Sequence, residues 1–101
     1  MSAPATPDAY LPHVDSEFVL SLPNGTTRSF KLTTVTPGID DEVQLSFSLL
    51  FTSPDHTLPQ HVYRMSHAEL GEFDLFLVPI RQKRTGLIYE AVFNLLRDEA
   101  Q

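Results

Sequence analysis

Histidines and carboxylates are the residues of this chain that could bind a metal ion. The four histidines are His13, His56, His61 and His67. A cupin-like barrel would hold zinc or iron through imidazoles and a carboxylate, and His61, His67 and Glu69 are the candidates. Ligands on one strand must lie two residues apart to share a face, and no His-x-His occurs. His67 and Glu69 have that spacing but lie in a predicted turn. The pattern favours surface and loop histidines, with no cofactor expected.

Nucleophilic catalysis would need a serine, a base and an orienting carboxylate at one point. Ser53, Asp55 and His56 are close in sequence, but no Gly-x-Ser-x-Gly elbow accompanies them. A hydrolase using His56 or His61 stays an alternative for which no substrate can be named. The acidic run 40–42 lacks the spaced ligands of a calcium loop. The residue types therefore favour a protein that is not an enzyme.

The composition restricts the classes of partner. The formal net charge is −6, which repels phosphate backbones and anionic lipids, so we expect neither nucleic-acid nor membrane binding. The chain contains no cysteine, which excludes disulfides and thiolate chemistry. The lack of disulfides favours a reducing compartment, and we expect a cytoplasmic protein.

An alternation of apolar and polar residues is the main structural signal. Val43, Leu45, Phe47, Leu49 and Phe51 point one way, and mostly polar residues point the other way. The same alternation predicts six strands, near residues 18–22, 26–35, 43–52, 60–66, 73–80 and 87–96. Asn24-Gly25 is a strong hairpin signal, Pro37-Gly38 interrupts the chain, and residues 66–71 suit one helical turn or a tight corner.

The last run is ambiguous between strand and helix. Residues 87–98 contain acceptable helix formers, but a strand over 87–96 gives residues 73–80 a hairpin partner across the loop 82–86. We therefore favour the strand. The chain is then an all-β protein, a small antiparallel barrel or a two-sheet sandwich of about six strands. Residues 1–12 are interpreted as a flexible Pro-rich tail, which Tyr10, Leu11 and Val14 dock onto a single β domain over 13–101.

The strand 73–80 has more apolar surface than one small domain can cover. Its residues Leu75 to Ile80 are apolar on both faces, and Pro79 belongs at a strand end or a bulge. Three cations follow at the next hairpin, where they could dock an acidic partner or protect the strand from aggregation. The interface candidates are Leu50, Phe76, Val78, Ile80, Arg81, Lys83 and Arg84.

Three stretches resemble a family of small bacterial proteins of unknown function: Tyr63 to Gly71, Leu-Phe-Leu-Val-Pro at 75–79, and Tyr-Glu-Ala-Val-Phe-Asn at 89–94. Similarity covers about residues 16–94. The resemblance implies no catalytic residues. It implies a structural or accessory role, because the genes of family members look like neighbours of phage-tail-collar genes. The Pro-rich start and the basic loop 82–84 depart from the pattern.

Residues and resemblance together predict a non-enzymatic interaction module. We expect it to self-associate or to dock onto a larger, phage-tail-like assembly, because an oligomer interface would cover the two-faced strand. The alternative is a small-ligand or metal-binding barrel of cupin type, in which the same strand lines a cavity.

Overall fold

The computed structural model describes residues 4, 6–53, 58–83 and 86–96. Six antiparallel strands form a closed barrel in the order β1-β2-β3-β6-β5-β4. Their bounds are β1 Glu17–Ser21, β2 Thr27–Asp40, β3 Gln44–Ser53, β4 His61–His67, β5 Gly71–Lys83 and β6 Gly86–Leu96. The predicted all-β class is confirmed, and the barrel is the form adopted. The last run is a strand up to Leu96, as predicted, and residues 97–101 lie outside the described part of the chain.

The barrel consists of two three-stranded meanders joined at two seams. Strands β1, β2 and β3 form the first meander, and β4, β5 and β6 form the second. The β3–β6 seam is long and runs from Gln44 opposite Leu96 to Ser53 opposite Leu87. The β1–β4 seam is short, because it pairs only residues 19–21 with 64–66. The two meanders therefore share one long and one short line of hydrogen bonds.

The long strands β2 and β5 close the barrel by changing partners. Residues 27–31 of β2 pair with β1, and the rest of β2 pairs with β3. Residues 71–77 of β5 pair with β4, and residues 78–83 pair with β6. Register shifts lie near both changes, at Leu32/Thr34 and at Pro79/Arg81. Bulges sharpen the bend of a strand, so these two let six strands curve into a barrel. Pro79 borders the second of these bulges, in agreement with the prediction that it lies at a strand end or a bulge.

Two sequence predictions about β2 and β3 are wrong. Pro37-Gly38 does not end β2, which continues to Asp40. A second register shift lies there, and the Ile39 N–H bonds to Ser46 Oγ at 2.8 Å instead of to a ladder carbonyl. A strand tolerates proline at such an irregularity. Val43 does not share the inward face of β3, because it precedes the first paired residue and is exposed.

Aromatic and aliphatic side chains fill the barrel interior. The inward positions of β3 alternate with outward ones and are all buried, as the pattern predicted. Phe18 packs edge-on against Phe51 with ring centroids 5.2 Å apart, and Phe47 stacks on Phe93 at 4.4 Å. These contacts leave a packed core in place of a hollow lumen. The fully buried members are Tyr10, Phe18, Leu20, Phe30, Leu32, Leu49, Phe51, Met65, Phe73, Leu77, Tyr89 and Ala91.

The segment before β1 packs onto the barrel mainly through Tyr10. It forms two 3₁₀ turns, Pro7–Ala9 and Leu11–His13. Tyr10 lies between them, is fully buried, and contacts Phe47 and Phe93 at 6.1 and 5.9 Å between ring centroids. Val14 is partly buried against the core, but Leu11 is exposed, so the expectation that Leu11 docks is wrong. Whether residues 1–12 are flexible stays a prediction.

Two tight turns fit the sequence signals. Residues 22–26 connect β1 to β2, with Gly25 at φ +91 and the Asn24 side chain accepting the Thr26 N–H at 3.0 Å. Residues 68–70 connect β4 to β5 as a tight corner, and Gly71 follows at φ +84. Glycine adopts such positive φ values without steric cost.

Candidate functional site

His67 is the centre of the main polar cluster in the described residues. Its Nδ1 accepts the backbone N–H groups of Glu69 at 3.0 Å and Leu70 at 3.3 Å. Its Nε2 lies 2.9 Å from Ser16 Oγ, and Ser16 Oγ donates to the carbonyl oxygen of His13 at 2.5 Å. Because Nδ1 accepts two hydrogen bonds, the neutral ring carries its proton on Nε2 and donates it to Ser16. The cluster ties the start of β1 to the β4–β5 corner.

The environment of His67 keeps its ring neutral. Burial lowers the pKa of His67 below its ordinary value, the nearby His13 lowers it further, and Glu69 partly opposes this. The His13 and His67 ring centroids are 4.5 Å apart, and His67 also packs on Phe18 at 4.5 Å. A proton on Nδ1 would face the two backbone N–H groups. The fold therefore favours the uncharged imidazole.

This serine–histidine pair does not have the arrangement of a nucleophile and its base. A base must present an unprotonated nitrogen to the hydroxyl proton. Here Nε2 is the donor, and the Ser16 proton goes to a carbonyl oxygen. The pair therefore holds a chain corner and does not activate Ser16. The other proposed catalytic group cannot be placed, because Asp55 and His56 lie outside the described residues.

The three weak metal candidates do not meet at one point. His61 and His67 stand six residues apart on β4, a separation of roughly 20 Å. The His61 ring lies against Tyr63 at 5.3 Å, whereas Glu69 approaches His13 at 4.0 Å. Within the described ranges, no group of three or more histidine, aspartate or glutamate residues could hold an ion. His61, His67 and Glu69 therefore cannot form a common site.

Three tyrosines anchor loops to the barrel. Tyr10 donates from its hydroxyl to Pro4 O at 2.7 Å, and Tyr63 donates to Pro59 O at 2.6 Å. The Tyr89 hydroxyl accepts the Leu58 N–H at 2.8 Å. Burial raises the pKa of Tyr10 and of Tyr63, and Tyr89 adds to the rise at Tyr63. Tyr63 and Tyr89 each combine a buried ring with a hydrogen-bonded hydroxyl, and these roles are structural.

Apolar side chains form a stripe on the outside of the barrel that is interrupted by Glu90. Val62 on β4 is opposite Phe76 on β5, and Val78 lies two residues further on the same side of β5. Val78 is opposite Glu90, and Glu90 is opposite Leu50 on β3. Val92 follows Glu90 on the outer side of β6. We call this set the outer stripe: Val62, Phe76, Val78, Leu50 and Val92.

Much of the outer stripe is open to solvent. Val62, Phe76 and Val92 are 52%, 50% and 65% exposed, and Leu50 and Val78 are partly exposed. Beside Val62 and Phe76, Arg64 bonds to Asp74 at 2.7 Å and to Glu72 at 3.4 Å. The ion pairs with Asp74 and then Glu72 raise the pKa of Arg64. The stripe is thus an apolar surface with a charged edge, the arrangement common at interaction sites.

The remaining interface candidates lie at the end of the stripe. Ile80 is the extra residue of the β5 bulge and is 47% exposed, and Arg81 next to it pairs with Ile88. Lys83 ends β5, but its side chain is not described, and Arg84 lies outside the described residues. The structure therefore brings Leu50, Phe76, Val78, Ile80 and Arg81 to one side of the barrel.

A cavity of about 490 Å³ opens in the barrel wall, and the sequence reasoning missed it. It lies where β2 leaves β3 to pair with β1, next to the first residues of β6. We call it the wall cavity; its lining is Asp15, Ser16, Glu17, Ser29, Phe30, Lys31, Thr52, Ser53, Gly86, Leu87 and Ile88. The one signal for this cavity in the sequence is the pair of opposite charges at positions 17 and 31 of a predicted hairpin.

The comparisons with known proteins add a family. No helix among the residues described is long and apolar enough to cross a membrane. No curated protein and no solved structure matches the chain. A family model described as a domain of unknown function (DUF6916) matches residues 5–93, and the chain belongs to that family.

Proposed function

We propose that this domain is a non-enzymatic interaction module that self-associates through the outer stripe. The single observation that carries the proposal is the exposure of the cross-strand partners Val62 and Phe76, with Val92 exposed on β6 two residues beyond Glu90, the partner of Val78. Apolar surface gains free energy when it leaves water, about 25 cal/mol for each Å². The side chains have no cover within the described chain, so a partner is the means to cover them.

A second copy of the chain is the partner that we propose. The stripe carries charges of both signs, Glu90 within it and Arg81 at its end. In a two-fold arrangement, Arg81 of one copy can face Glu90 of the other, so the surface is complementary to itself. The molecule measures 44 × 27 × 24 Å, so its long side can supply the ~800 Å² per partner of a standard interface.

The second function that we propose is docking of the same stripe onto a larger, phage-tail-like assembly in the cytoplasm. It follows from the resemblance noted above and uses the same residues. The cupin-like alternative, with a ligand in the barrel lumen, has less support. Phe18, Phe30 and Phe51 fill the interior and are almost fully buried, so a ligand could enter only by displacing the core.

Size-exclusion chromatography with light scattering tests self-association. We expect the wild-type chain to give twice the monomer mass at tens of micromolar. Val92→Asp should restore the monomer, because it places a charge in an apolar interface. A wild-type chain that stays monomeric into the millimolar range would show that self-association is wrong. A monomer that nevertheless elutes together with added assembly proteins would favour docking onto a larger assembly.

Val43→Asp is the matched control. Val43 and Val92 are equally exposed, at 63% and 65%, but Val43 lies in the β2–β3 connection outside the stripe. Both substitutions change the net charge equally. If Val43→Asp dissociates the protein as strongly as Val92→Asp, the effect is one of total charge and the stripe is not the interface.

A further inference from the structure

The wall cavity carries charges of both signs above an apolar floor. Glu17 and Lys31 are direct cross-strand partners on β1 and β2. Side chains at such positions have Cβ atoms about 5 Å apart. Phe30, Leu87 and Ile88 also line the cavity, and all three are buried. A cavity of this size with a few polar groups is typical of small-molecule sites.

The acidic side of the cavity is held in place. The Glu17 carboxylate accepts a hydrogen bond from Ser29 Oγ at 2.5 Å. Asp15 has φ +74, the one described residue other than glycine with a positive φ. Its N–H bonds to Leu32 O at 2.7 Å, and the Leu32 N–H bonds to Ser16 O at 3.3 Å. A non-glycine residue rarely adopts this conformation, and such positions concentrate at binding sites.

The basic side of the cavity is not neutralised by its neighbour. Among the residues that the structure describes, Lys31 makes no ion pair within 4.0 Å, although Glu17 stands opposite. Glu17 instead bonds to Ser29. The ammonium of Lys31 and the carboxylate of Glu17 thus remain separate binding groups on the cavity rim. A ligand with one charge of each sign could bridge them.

From this geometry we infer that the wall cavity binds a small zwitterion with an apolar side chain, an α-amino acid of the leucine or phenylalanine type. Its ammonium group binds Glu17, and its carboxylate binds Lys31. Its side chain covers Phe30, Leu87 and Ile88. This site is lined by the start of β1, by β2, by the end of β3 and by the start of β6, and it shares no residue with the outer stripe, although its Ile88 is the strand partner of Arg81.

Titration of the ¹⁵N-labelled full chain with L-leucine and L-phenylalanine, followed by NMR, tests the inference. We expect shifts of the Ser29, Phe30, Leu87 and Ile88 amides that saturate. Methyl esters and N-acetyl derivatives of the same amino acids should bind about tenfold more weakly, since each loses one charge-assisted contact. No saturable shift at these amides with either amino acid overturns the inference. Methyl esters and N-acetyl derivatives that bind as tightly as the free amino acids overturn it as well.

Two variants assign the charged groups. In Lys31→Gln, the acid and its methyl ester should bind within twofold of each other, because the carboxylate partner is gone. In Glu17→Gln, the free amine and its N-acetyl derivative should bind within twofold. Glu42→Gln, which changes the net charge as Glu17→Gln does but lies in the β2–β3 connection, should keep both tenfold preferences. Circular dichroism confirms that each variant folds. Preferences that survive in Lys31→Gln and Glu17→Gln overturn the assignment.

Discussion

Replacing His67 by asparagine should separate the two roles of this ring, which accepts backbone N–H groups of the β4–β5 corner through Nδ1 and donates to Ser16 through Nε2. Asparagine can accept the Glu69 and Leu70 N–H groups through its side-chain oxygen, as it does in Asx turns. It is too short to keep the bond to Ser16, and it does not titrate. At pH 8 we expect a loss of about 1–2 kcal/mol in the free energy of unfolding, the usual contribution of one hydrogen bond plus some ring packing on Phe18.

The pH dependence follows from the lowered pKa of His67. Above pH 6.5 the ring is neutral in both the folded and the unfolded chain, so no stability is lost. Below pH 6.5 the unfolded chain binds the proton first, and stability falls as the pH drops towards the folded-state pKa. In His67→Asn this contribution is absent. The difference in stability between wild type and variant should therefore shrink from pH 8 to pH 5.

Urea denaturation at pH 8, 7, 6 and 5, followed by circular dichroism, measures this difference. His61→Asn is the control, because His61 is exposed and only its ring contact with Tyr63 is lost. A difference between wild type and His67→Asn that stays constant or grows as the pH falls would refute the hydrogen-bonding scheme. A variant more stable than wild type at pH 8 would refute it too.

Three further predictions concern packing and association. Gly38→Ala places a Cβ 2.5 Å from Ser46 Oγ and 3.0 Å from Ser46 O. We therefore expect it to lower the free energy of unfolding, measured in urea, by about 1–3 kcal/mol. The double variant Gly38→Ala/Ser46→Ala should recover only part of this loss. Tyr89→Phe leaves the Leu58 N–H without its acceptor and should cost about 1 kcal/mol by the same assay, with a neutral result counting against that bond. Phe76→Ser removes roughly 100 Å² of apolar surface from each copy, about 2.5 kcal/mol per copy and about 5 kcal/mol per dimer, so the dimer should weaken about five-thousandfold in sedimentation equilibrium.

The strands were predictable because most of them carry one buried and one wet face. Leu45, Phe47, Leu49 and Phe51 all face the core, and the alternation alone indicates this. The closure of the barrel was not predictable, since it depends on β2 and β5 changing partners. Single residues in the sequence do not mark those changes, apart from Pro79 at one of them.

The candidate sites were predictable only in part. Apolar residues that break the alternation, such as Phe76, Val78 and Leu50, pointed to the outer stripe before the sheet order was known. The His67–Ser16 contact joins residues 51 positions apart, and a sequence pattern carries no sign of such a distance. The wall cavity likewise arises from strand separation in three dimensions.

Isotope-filtered NMR on a mixture of labelled and unlabelled chains would detect self-association through the outer stripe itself. We expect nuclear Overhauser effects between copies, from the Val62, Val78 and Val92 methyl groups to the Phe76 ring. Such effects located elsewhere on the barrel, or none with the folded chain at concentrations up to the millimolar range, would contradict it.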